Sequence, residues 1–331
     1  MPKKLTNILC LLIAALLLIA SDAWAAAKYT IIFNGHMPEN HILTKAERMF
    51  AQLVEERTKG EVAVKLYIDA VLGGGREAIE AVRVGTQTMY DGSLAPIFGI
   101  DPAFGVLNLP YLFTSRAQWL ALLDGPLGTE LMARLEQHGL ISLGSLDNGI
   151  RHVTNNVRPI TKPEDLQGIK IRVMPSPVFI SIFKALGALP TTTPWLELYP
   201  ALQQGVVDAQ EDPVVTIYGS KFYEVQKFLS LTGHAYDANI YFMNKKFFDD
   251  LPKEYQAVLR TTAKEAIARQ RDEAQRDEQK ELTELKTRMK VNEVAQDQLA
   301  AFRRACQPVY AEQAPTIGQG VVDKWLEAVG K

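Results

Sequence analysis

Cysteine is nearly absent from this 331-residue chain, and so is any large charge excess. Its two cysteines are Cys10 and Cys306, and Cys10 lies within an N-terminal apolar run. Removal of that run leaves a single thiol, which excludes an intramolecular disulfide. The formal net charge of −2 argues against nucleic acid or an anionic membrane as the main partner, because both attract strongly basic proteins.

Long apolar runs are confined to the N-terminus. Lys3-Lys4 precedes an apolar stretch over residues 8–20, and Ala23-Trp24-Ala25 has the small-x-small pattern of a signal-peptide cleavage site. The stretch is shorter than the roughly 20 apolar residues that a membrane helix needs. We therefore predict a cleavable signal peptide at residues 1–25 and an exported, periplasmic protein, with an uncleaved anchor as the alternative.

The rest of the chain alternates short apolar strands with amphipathic helices. Before Gly149 the predicted elements are a strand at 29–33, a helix at 41–57, a strand at 62–66 and a helix from Gly73-Gly74-Gly75 to about Val84. After Gly149 they are a strand at 169–173, helices at 176–186 and 195–204, and strands at 206–210 and 239–243. This order predicts an α/β fold with largely parallel sheets, and roughly 300 residues predict two domains.

Residues 253–289 contain neither glycine nor proline and predict one long helix. Apolar residues mark both of its ends, while residues 268–281 are almost entirely polar. A helix that is polar all round in its middle is typical of a bridge between two domains. Two surface helices with a hidden break explain the same periodicity equally well.

Sequence signatures of catalysis are missing. The five histidines form no HExxH pair, and there is no Gly-x-Ser-x-Gly elbow, P-loop or dinucleotide-binding glycine motif. The Gly73-Gly74-Gly75 segment has free backbone amides that suit an anion, although a tight turn is the plainer interpretation. An acid–base pair assembled from distant residues stays open at this point. We expect no catalytic residue, no bound metal and no cofactor.

Three positions in the middle of the chain predict a site for a carboxylate. Arg172 ends a strand, where open α/β sheets place their ligand crevices, and a guanidinium gives a carboxylate two parallel charged hydrogen bonds. Arg151 lies where the chain is expected to enter a second domain, and Trp195 begins a helix, where it is placed to floor a pocket. Taken singly, the arginines also fit solvated positions and the tryptophan a core position.

Four long motifs contain or flank these positions. They cover residues 148–156 (Asn-Gly-Ile-Arg-His-Val-Thr-Asn-Asn), 165–173 (Asp-Leu-Gln-Gly-Ile-Lys-Ile-Arg-Val), 198–213 and 221–227 (Lys-Phe-Tyr-Glu-Val-Gln-Lys). In order and spacing they are similar to the motifs of the solute-binding proteins of TRAP transporters, of the DctP type. The similarity extends over essentially the whole chain after residue 25.

This resemblance implies a two-domain periplasmic-binding-protein fold whose central cleft closes on a ligand and delivers it to a membrane permease. It implies that Arg172 is the main partner of the ligand carboxylate and Arg151 a second contact, with Trp195 as an aromatic wall. It also implies that the helix at 253–289 spans both domains. The expected domain I is residues 26–149 plus 238–277, domain II is residues 150–237 plus 278–331, and the protein is expected to be a monomer.

One position departs from the family pattern. The family commonly has Gln-Glu-Asn-Pro where this chain has Gln210-Glu211-Asp212-Pro213, so a carboxylic acid replaces an amide. An ionised Asp212 repels a bound anion unless cations compensate. In one interpretation Asp212 accepts a hydrogen bond from an amino or hydroxyl group of the ligand. In the other it pairs with Arg151 or Arg172 and only orients that arginine.

The domain I wall of the cleft is less well marked. Residues 91–95 (Asp-Gly-Ser-Leu-Ala) offer mostly small and apolar groups, which argues against a sugar acid. His36 and Arg76 are the expected lining residues, and Phe33 and Phe98 fit either apolar ligand contacts or core positions. We therefore expect a modest organic acid with an apolar or aromatic body, with or without an amine.

Two other functions fit an exported chain of this composition. An enzyme acting on a small organic acid would use His36 or His152 as its base, and it would convert a bound acid that a transport protein returns unchanged. A sensor or structural module would address a partner protein and show no melting shift with small molecules.

Overall fold

A computed structural model describes residues 27–331, so the predicted signal peptide lies outside the described residues. The strands of this range are β1 (Tyr29–Gly35), β2 (Val62–Tyr67), β3 (Met89–Ser93), β4 (Leu140–Asn155), β5 (Lys170–Val173), β6 (Leu189–Thr192), β7 (Ala209–Pro213), β8 (Phe228–Asn244) and β9 (Lys290–Glu293).

The α-helices of the same range lie on both faces of the sheet. They are α1 (Ile42–Arg57), α2 (Gly75–Val84), α3 (Arg116–Asp124), α4 (Pro126–Ala133), α5 (Pro177–Ala185), α6 (Trp195–Gln203), α7 (Val214–Gly219), α8 (Lys245–Asp250), α9 (Lys253–Arg288), α10 (Gln296–Ile317) and α11 (Gln319–Ala328). Between residues 27 and 331, no helix combines the length and the apolarity that crossing a bilayer requires.

One sheet runs through both domains. Its strand order is β2-β1-β3-β8-β4-β7-β5-β6, with β9 added beside β8. The outer strands pair in parallel, β1 with β2 and β3, and β5 with β6 and β7. The two-domain α/β fold predicted from the sequence is therefore confirmed.

The centre of the sheet differs from the parallel arrangement that the sequence predicts. The two longest strands, β4 and β8, are antiparallel to each other over most of their length. Their pairing shifts register at three places, between Ser142 and Ser145, between Asp147 and Gly149, and between Arg151 and Val153. Because these irregularities break the alternation of polar and apolar residues, residues 140–155 give no clear strand signal.

A smaller correction concerns the strand predicted at residues 206–210. The strand begins at Ala209 and runs to Pro213, while the preceding residues form a turn at Gly205, whose φ is +70°. Val206 is 62% exposed, so the apolar pair at 206–207 marks the end of the turn and not a buried strand. Pro213 is the N-cap of α7, at a helix start where proline is tolerated.

The long helix α9 is continuous over 36 residues, so the alternative with a hidden break is wrong. Near its start Leu259 packs in one core with Phe33 and Phe50. Near its end Leu285 packs in a separate core with Leu198. The helix therefore contributes to the cores of both domains, as expected for a domain-spanning helix.

The polar middle of α9 binds the backbone of β4 where that strand passes between the domains. Gln270 Nε2 donates to the Asp147 carbonyl at 2.7 Å, and its Oε1 accepts from the Asp147 N–H at 3.0 Å. The Arg271 Nε also donates to the Ser145 carbonyl at 3.0 Å. These contacts replace the strand partner that this edge of β4 lacks, which explains why the middle of the helix is polar.

A glycine in β1 makes room for a buried carboxyl group. A Cβ at Gly35 would lie 2.1 Å from Glu47 Oε2, so the Glu47 side chain occupies the space above the glycine. Burial and the neighbouring Asp91 raise the pKa of Glu47 well above its usual value. Gly35 is therefore required by packing and not by backbone conformation.

We expect Gln270→Ala to lower the free energy of unfolding by about 1–3 kcal/mol, since it leaves two buried backbone groups of Asp147 without a partner. Chemical denaturation followed by circular dichroism measures the change. The matched control is the adjacent Arg269→Ala, whose exposed pair with Glu273 contributes about 0.3–0.5 kcal/mol. Equal losses in the two variants would contradict the role assigned to Gln270.

We expect Gly35→Ala to destabilise the protein by about 1–3 kcal/mol, because the new methyl group overlaps the Glu47 carboxyl. Gly320→Ala is the control, since a Cβ at Gly320 meets no atom within 4 Å. Thermal and urea unfolding of both variants provide the measurement. A Gly35→Ala protein as stable as the Gly320→Ala protein would show that Glu47 moves away at little cost.

Candidate functional site

The sequence-predicted arginines lie where β4, β5, β7 and β8 run side by side. Arg172 is the third residue of β5, and Asp212 lies one residue before the end of the neighbouring β7. Arg151 in β4 is opposite Pro213 of β7 on one side and Ala235 of β8 on the other. The strand order therefore brings Arg151, Arg172 and Asp212 together.

Arg151 is buried among carboxyl groups. Its Nε donates to Glu211 Oε2 at 2.5 Å, its Nη1 to Asp237 Oδ2 at 2.8 Å, and its Nη2 to Asp212 Oδ1 at 2.8 Å. Burial opposes the charged guanidinium, but attraction by Glu211 and the two aspartates outweighs it and raises the pKa of Arg151. Each nitrogen of this guanidinium is thus bound within the protein, and the role of Arg151 as a second ligand contact stays a prediction.

His234 extends this cluster. Its Nε2 lies 3.0 Å from Glu211 Oε2, and its Nδ1 lies 2.9 Å from the Thr232 hydroxyl. Because a carboxylate oxygen only accepts, the Nε2 of His234 carries a proton and donates to Glu211. Burial disfavours the charged form of Glu211, but Arg151 outweighs this and lowers the pKa of Glu211. Glu211 is therefore ionised.

Asp237 connects the cluster to the first domain. Its Oδ2 accepts from Asn148 Nδ2 at 2.8 Å, and its Oδ1 accepts from the Ser93 hydroxyl at 3.0 Å. Ser93 ends β3, and its Oγ lies 3.5 Å from the sulfur of Met174, which directly follows β5. The two domains therefore touch next to the arginine cluster.

Arg172 is the guanidinium that the protein leaves incompletely bound. It is 2% exposed, and its Nε donates to the Thr193 carbonyl at 3.0 Å. Its Nη1 is buried and has no hydrogen-bond partner in the described part of the chain. Burial lowers the pKa of Arg172, and the attraction of Asp212 and Glu211 opposes this shift. A buried cation with a free donor suits an anionic ligand.

Asp212 has one bound and one free oxygen. Its Oδ1 accepts from Arg151, whereas its buried Oδ2 has no hydrogen-bond partner within residues 27–331. Burial raises the pKa of Asp212 to about 7, although the attraction of Arg151 opposes the shift. The bound oxygen agrees with the interpretation in which Asp212 pairs with an arginine. The free oxygen leaves a contact with the ligand open.

The first domain contributes polar groups through His36 and Asn239. His36 Nδ1 lies 2.9 Å from the Asp91 carbonyl, so Nδ1 carries a proton and donates to that oxygen, which leaves Nε2 for another partner. Asn239 Nδ2 donates to Asp91 Oδ1 at 3.0 Å and lies 3.4 Å from His36. The Asn239 Oδ1 is buried without a hydrogen-bond partner among the described residues. This wall therefore offers an acceptor at Asn239 Oδ1 and a second polar atom at His36 Nε2.

Trp195 meets the first domain from the opposite side. It is the first residue of α6, is half-buried, and its ring centroid lies 5.9 Å from that of His36 in an edge-on arrangement. His36 and Trp195 thus form a contact between the domains at the edge of the arginine cluster. We call the space bounded by Arg172, Asp212, His36 and Trp195 the central cleft.

The structure does not bring Arg76 to these residues. Arg76 is exposed on α2, and its Nη1 lies 2.8 Å from where a Cβ at Gly99 would be. No hydrogen bond or ion pair found among residues 27–331 involves it. Its predicted role as a lining residue therefore receives no support from its position, because its guanidinium lies at the turn that contains Gly99.

Phe33 and Phe98, which fitted either ligand contacts or the core, are core residues. Phe33 is fully buried and packs edge-on against Phe50 and Tyr241, and Phe98 packs in the other large core. The Gly73-Gly74-Gly75 segment is a turn, and the Gly75 N–H already donates to the Tyr90 hydroxyl at 2.9 Å. That contact removes one of the amides an anion would need.

The described residues show no cluster of three or more acidic, histidine or cysteine side chains suited to a metal ion. His152, one candidate base for an enzyme, accepts from the Gly233 N–H at 3.0 Å through Nδ1. Burial lowers the pKa of His152 to about 3, because a charged imidazole is disfavoured there. His152 is thus a weak base whose Nδ1 already binds the backbone.

Open cavities also lie elsewhere on the molecule, away from Arg172. One of about 650 Å³ lies between α9 and the edge of β4, and one of about 740 Å³ lies beside Tyr111 and Arg303. Neither contains a residue of the central cleft. We assign the site by its buried, unpaired charges, because a buried guanidinium with a free donor has more to gain from an anion than the water-exposed cations of an open groove.

Sequence reasoning missed Glu211 and Asp237, which hold Arg151, and Asn239, which lines the first-domain wall. Glu211 stands directly before Asp212 in the recognised motif, so its position was available as a signal. Asp237 and Asn239 lie two residues apart on β8, on one face of the strand, but neither belongs to a motif. Only the pairing of β8 with β3 and β4 brings them to the site.

A family model described as bacterial extracellular solute-binding protein, family 7, matches residues 33–316. Among its relatives, the 2,3-diketo-L-gulonate-binding periplasmic protein of Escherichia coli is 42% identical over 235 residues, which cover 71% of this chain and 72% of the relative. The family match covers most of the chain, including every residue of the central cleft.

Two solved structures share the fold. The sugar acid binding protein of Advenella mimigardefordensis in complex with galactonate has a TM-score of 0.89 and 34% identity, covering 91% of this chain and 97% of that one. A TRAP periplasmic solute binding protein of Sulfurospirillum deleyianum with bound succinate has a TM-score of 0.87 and 32% identity, covering 92% and 99%. The chain thus belongs to the family 7 bacterial extracellular solute-binding proteins and is a DctP-type solute-binding protein of a TRAP transporter.

Proposed function

We propose that Arg172 is the main partner of the carboxylate of an organic acid that the protein captures in its central cleft. The single observation that carries this assignment is the buried Nη1 of Arg172, which has no partner among the described residues. A buried guanidinium nitrogen without a hydrogen-bond partner is unfavourable, and an entering carboxylate offsets that penalty by charged hydrogen bonds. Arg151 is unsuited to this main role, because its nitrogens are already bound to carboxylates.

Capture requires the two domains to close around the acid. The contacts of Trp195 with His36 and of Ser93 with Met174 are the places where the domains meet, and they support a clamp. Closure excludes water and so strengthens the interaction of Arg172 with an anion. The proposed domains are residues 26–149 plus 238–277 and residues 150–237 plus 278–331, with α9, β4 and β8 crossing between them.

We assign the ligand to the hydroxylated acids. The first-domain wall offers polar atoms at Asn239 Oδ1 and His36 Nε2, which suit the hydroxyl groups of a ligand. Related proteins bind galactonate and 2,3-diketo-L-gulonate, both of which are hydroxylated acids. This assignment replaces the acid with an apolar or aromatic body that residues 91–95 suggested, because the polar groups come from His36, directly after β1, and from Asn239 on β8, and not from that segment.

The remaining parts of the function follow from the family. We propose that the protein is exported by a signal peptide at residues 1–25, works in the periplasm as a monomer, and passes its ligand to TRAP membrane permease subunits. It has no catalytic role, so a bound acid is returned unchanged after prolonged incubation. The use of His152 as an enzyme base gains no support, since its Nδ1 accepts from the Gly233 amide and burial lowers its pKa to about 3.

We expect Arg172→Ala to fold but to lose its thermal response to the best ligand of an acid panel. The panel is galactonate, 2,3-diketo-L-gulonate, succinate, phenylacetate and phenylalanine. A ligand at a hundredfold excess over Kd stabilises the wild type by about 2.7 kcal/mol through mass action. Differential scanning fluorimetry with and without each acid measures the shift.

The control for this experiment is Arg269→Ala, which removes an exposed guanidinium on α9 far along the chain from the cleft residues. It is expected to keep the full shift. If Arg172→Ala also keeps the full shift, Arg172 is not the carboxylate partner.

We also expect the panel to separate by chemistry. Galactonate or 2,3-diketo-L-gulonate should give the largest shift, because its hydroxyl groups reach the polar atoms of the first-domain wall, while phenylacetate should give little or none. Titration calorimetry then ranks the dissociation constants. Tighter binding of phenylacetate than of either hydroxylated acid would contradict the assignment and restore the apolar-bodied ligand.

A further inference from the structure

Two buried polar atoms at the end of the central cleft lack partners in the described chain: Nη1 of Arg172 and Oδ2 of Asp212. The residues lie on β5 and β7, which are neighbours in the sheet, and each affects the charge of the other. The first atom is a donor. The second is an acceptor when Asp212 is ionised and a donor when it is protonated. The chemistry of the site depends on which of these forms meets the ligand.

Charged and titratable groups surround Asp212 from four strands. They are Glu211 on its own strand β7, Arg151 and His152 on β4, Arg172 on β5, and Asp237 and His234 on β8. Burial keeps His152 neutral, and His234 Nε2 lies 3.0 Å from Glu211 Oε2. The other groups are two guanidiniums and three carboxyls, so the carboxyls outnumber the guanidiniums by one.

A ligand carboxylate brings a further negative charge into this enclosed space. Glu211 and Asp237 each accept a hydrogen bond from Arg151 and at least one more from a neighbour. Asp212 is the carboxyl with a free oxygen and the weakest compensation. Like charges a few ångströms apart at low effective dielectric repel strongly, so one of them takes up a proton.

In a neutral carboxyl group one oxygen accepts hydrogen bonds and the other carries the proton, and the contacts of Asp212 fit this division. Oδ1 accepts from Arg151 at 2.8 Å, as a carbonyl oxygen does, and this leaves the proton to Oδ2. The pKa of Asp212, which burial raises to about 7, is consistent with protonation near neutral pH. A protonated Oδ2 turns the free acceptor into a donor that points away from Arg151.

We propose that Asp212 is a specificity-determining residue that binds the ligand carboxylate in its protonated form. Its Oδ2–H donates to one carboxylate oxygen while Arg172 Nη1 donates to the other, and the proton comes from solvent. Each acid captured by ionised protein therefore takes up one proton, and the site favours an anion over an ammonium group at this position. This inference rests on the proposed carboxylate site at Arg172.

Titration calorimetry of the tightest-binding acid of the five-acid panel tests the proposal. Binding is measured at pH 8 in phosphate and in Tris, whose protonation enthalpies differ, so that the difference in heat gives the number of protons taken up. We expect close to one proton per acid at pH 8. Between pH 7 and 8.5 the Kd should rise by about tenfold per pH unit, since raising the pH removes the donor and adds repulsion.

Asp212→Asn keeps a donor and the shape of the side chain but does not titrate. It should bind the same acid at pH 8 about as tightly as the wild type does at pH 7 or more so, with no proton uptake and a flat pH profile. Glu281→Gln is the matched control, because burial and Asp277 raise the pKa of Glu281 to about 7 on α9. That control should keep the proton uptake of the wild type.

The outcomes separate the two claims. Binding that depends on Arg172 but takes up no proton in the wild type overturns the role of Asp212 and leaves the proposed function in place. Proton uptake that persists in Asp212→Asn, or disappears in Glu281→Gln, also overturns it. Failure of all five acids to bind overturns the proposed function and this inference together. The wild-type measurement decides the matter even if a variant does not fold.

Discussion

The buried guanidinium of Arg151 is the interaction on which the rest of the site depends. It binds Glu211 and Asp212 of β7 and Asp237 of β8 from its place on β4, so one side chain fixes three strands where the domains meet. Removing one partner from such a cluster leaves an uncompensated buried charge, which is strongly unfavourable. Because the nitrogens of Arg151 are bound in this way, Arg172 is the guanidinium of the cluster that still has an unbound donor, Nη1.

Local patterns were sufficient for the outer parts of the fold. A short apolar segment predicted β1, and period-2 alternation predicted β2 and β5. The lack of glycine and proline after Pro252 predicted α9 within a residue of its observed ends. The strand at residues 140–155 was not predicted, because β4 contains three register shifts and an interior Gly149, and these features are typical of a loop. Long-range pairing with β8 stabilises that strand, and no local pattern encodes it.

The residues of the candidate site also differ in how far local sequence patterns predict them. Arg172 and Asp212 were found because each lies at the end of a strand within a long motif, whereas the environment of Arg151 depends on Asp237, which is 86 residues away. Arg76 was predicted to line the cleft because it follows the glycine turn, but its guanidinium lies beside Gly99. Sequence thus identifies the charged residues, and the sheet decides which of them is already neutralised.

The most direct test of the account is a crystal structure of the protein with galactonate, or with whichever panel acid binds most tightly. The account predicts electron density for the acid between Trp195 and β5, with its carboxylate within about 3 Å of Arg172. Density for the acid in a different cavity, or with a hydroxyl instead of the carboxylate facing Arg172, would contradict it.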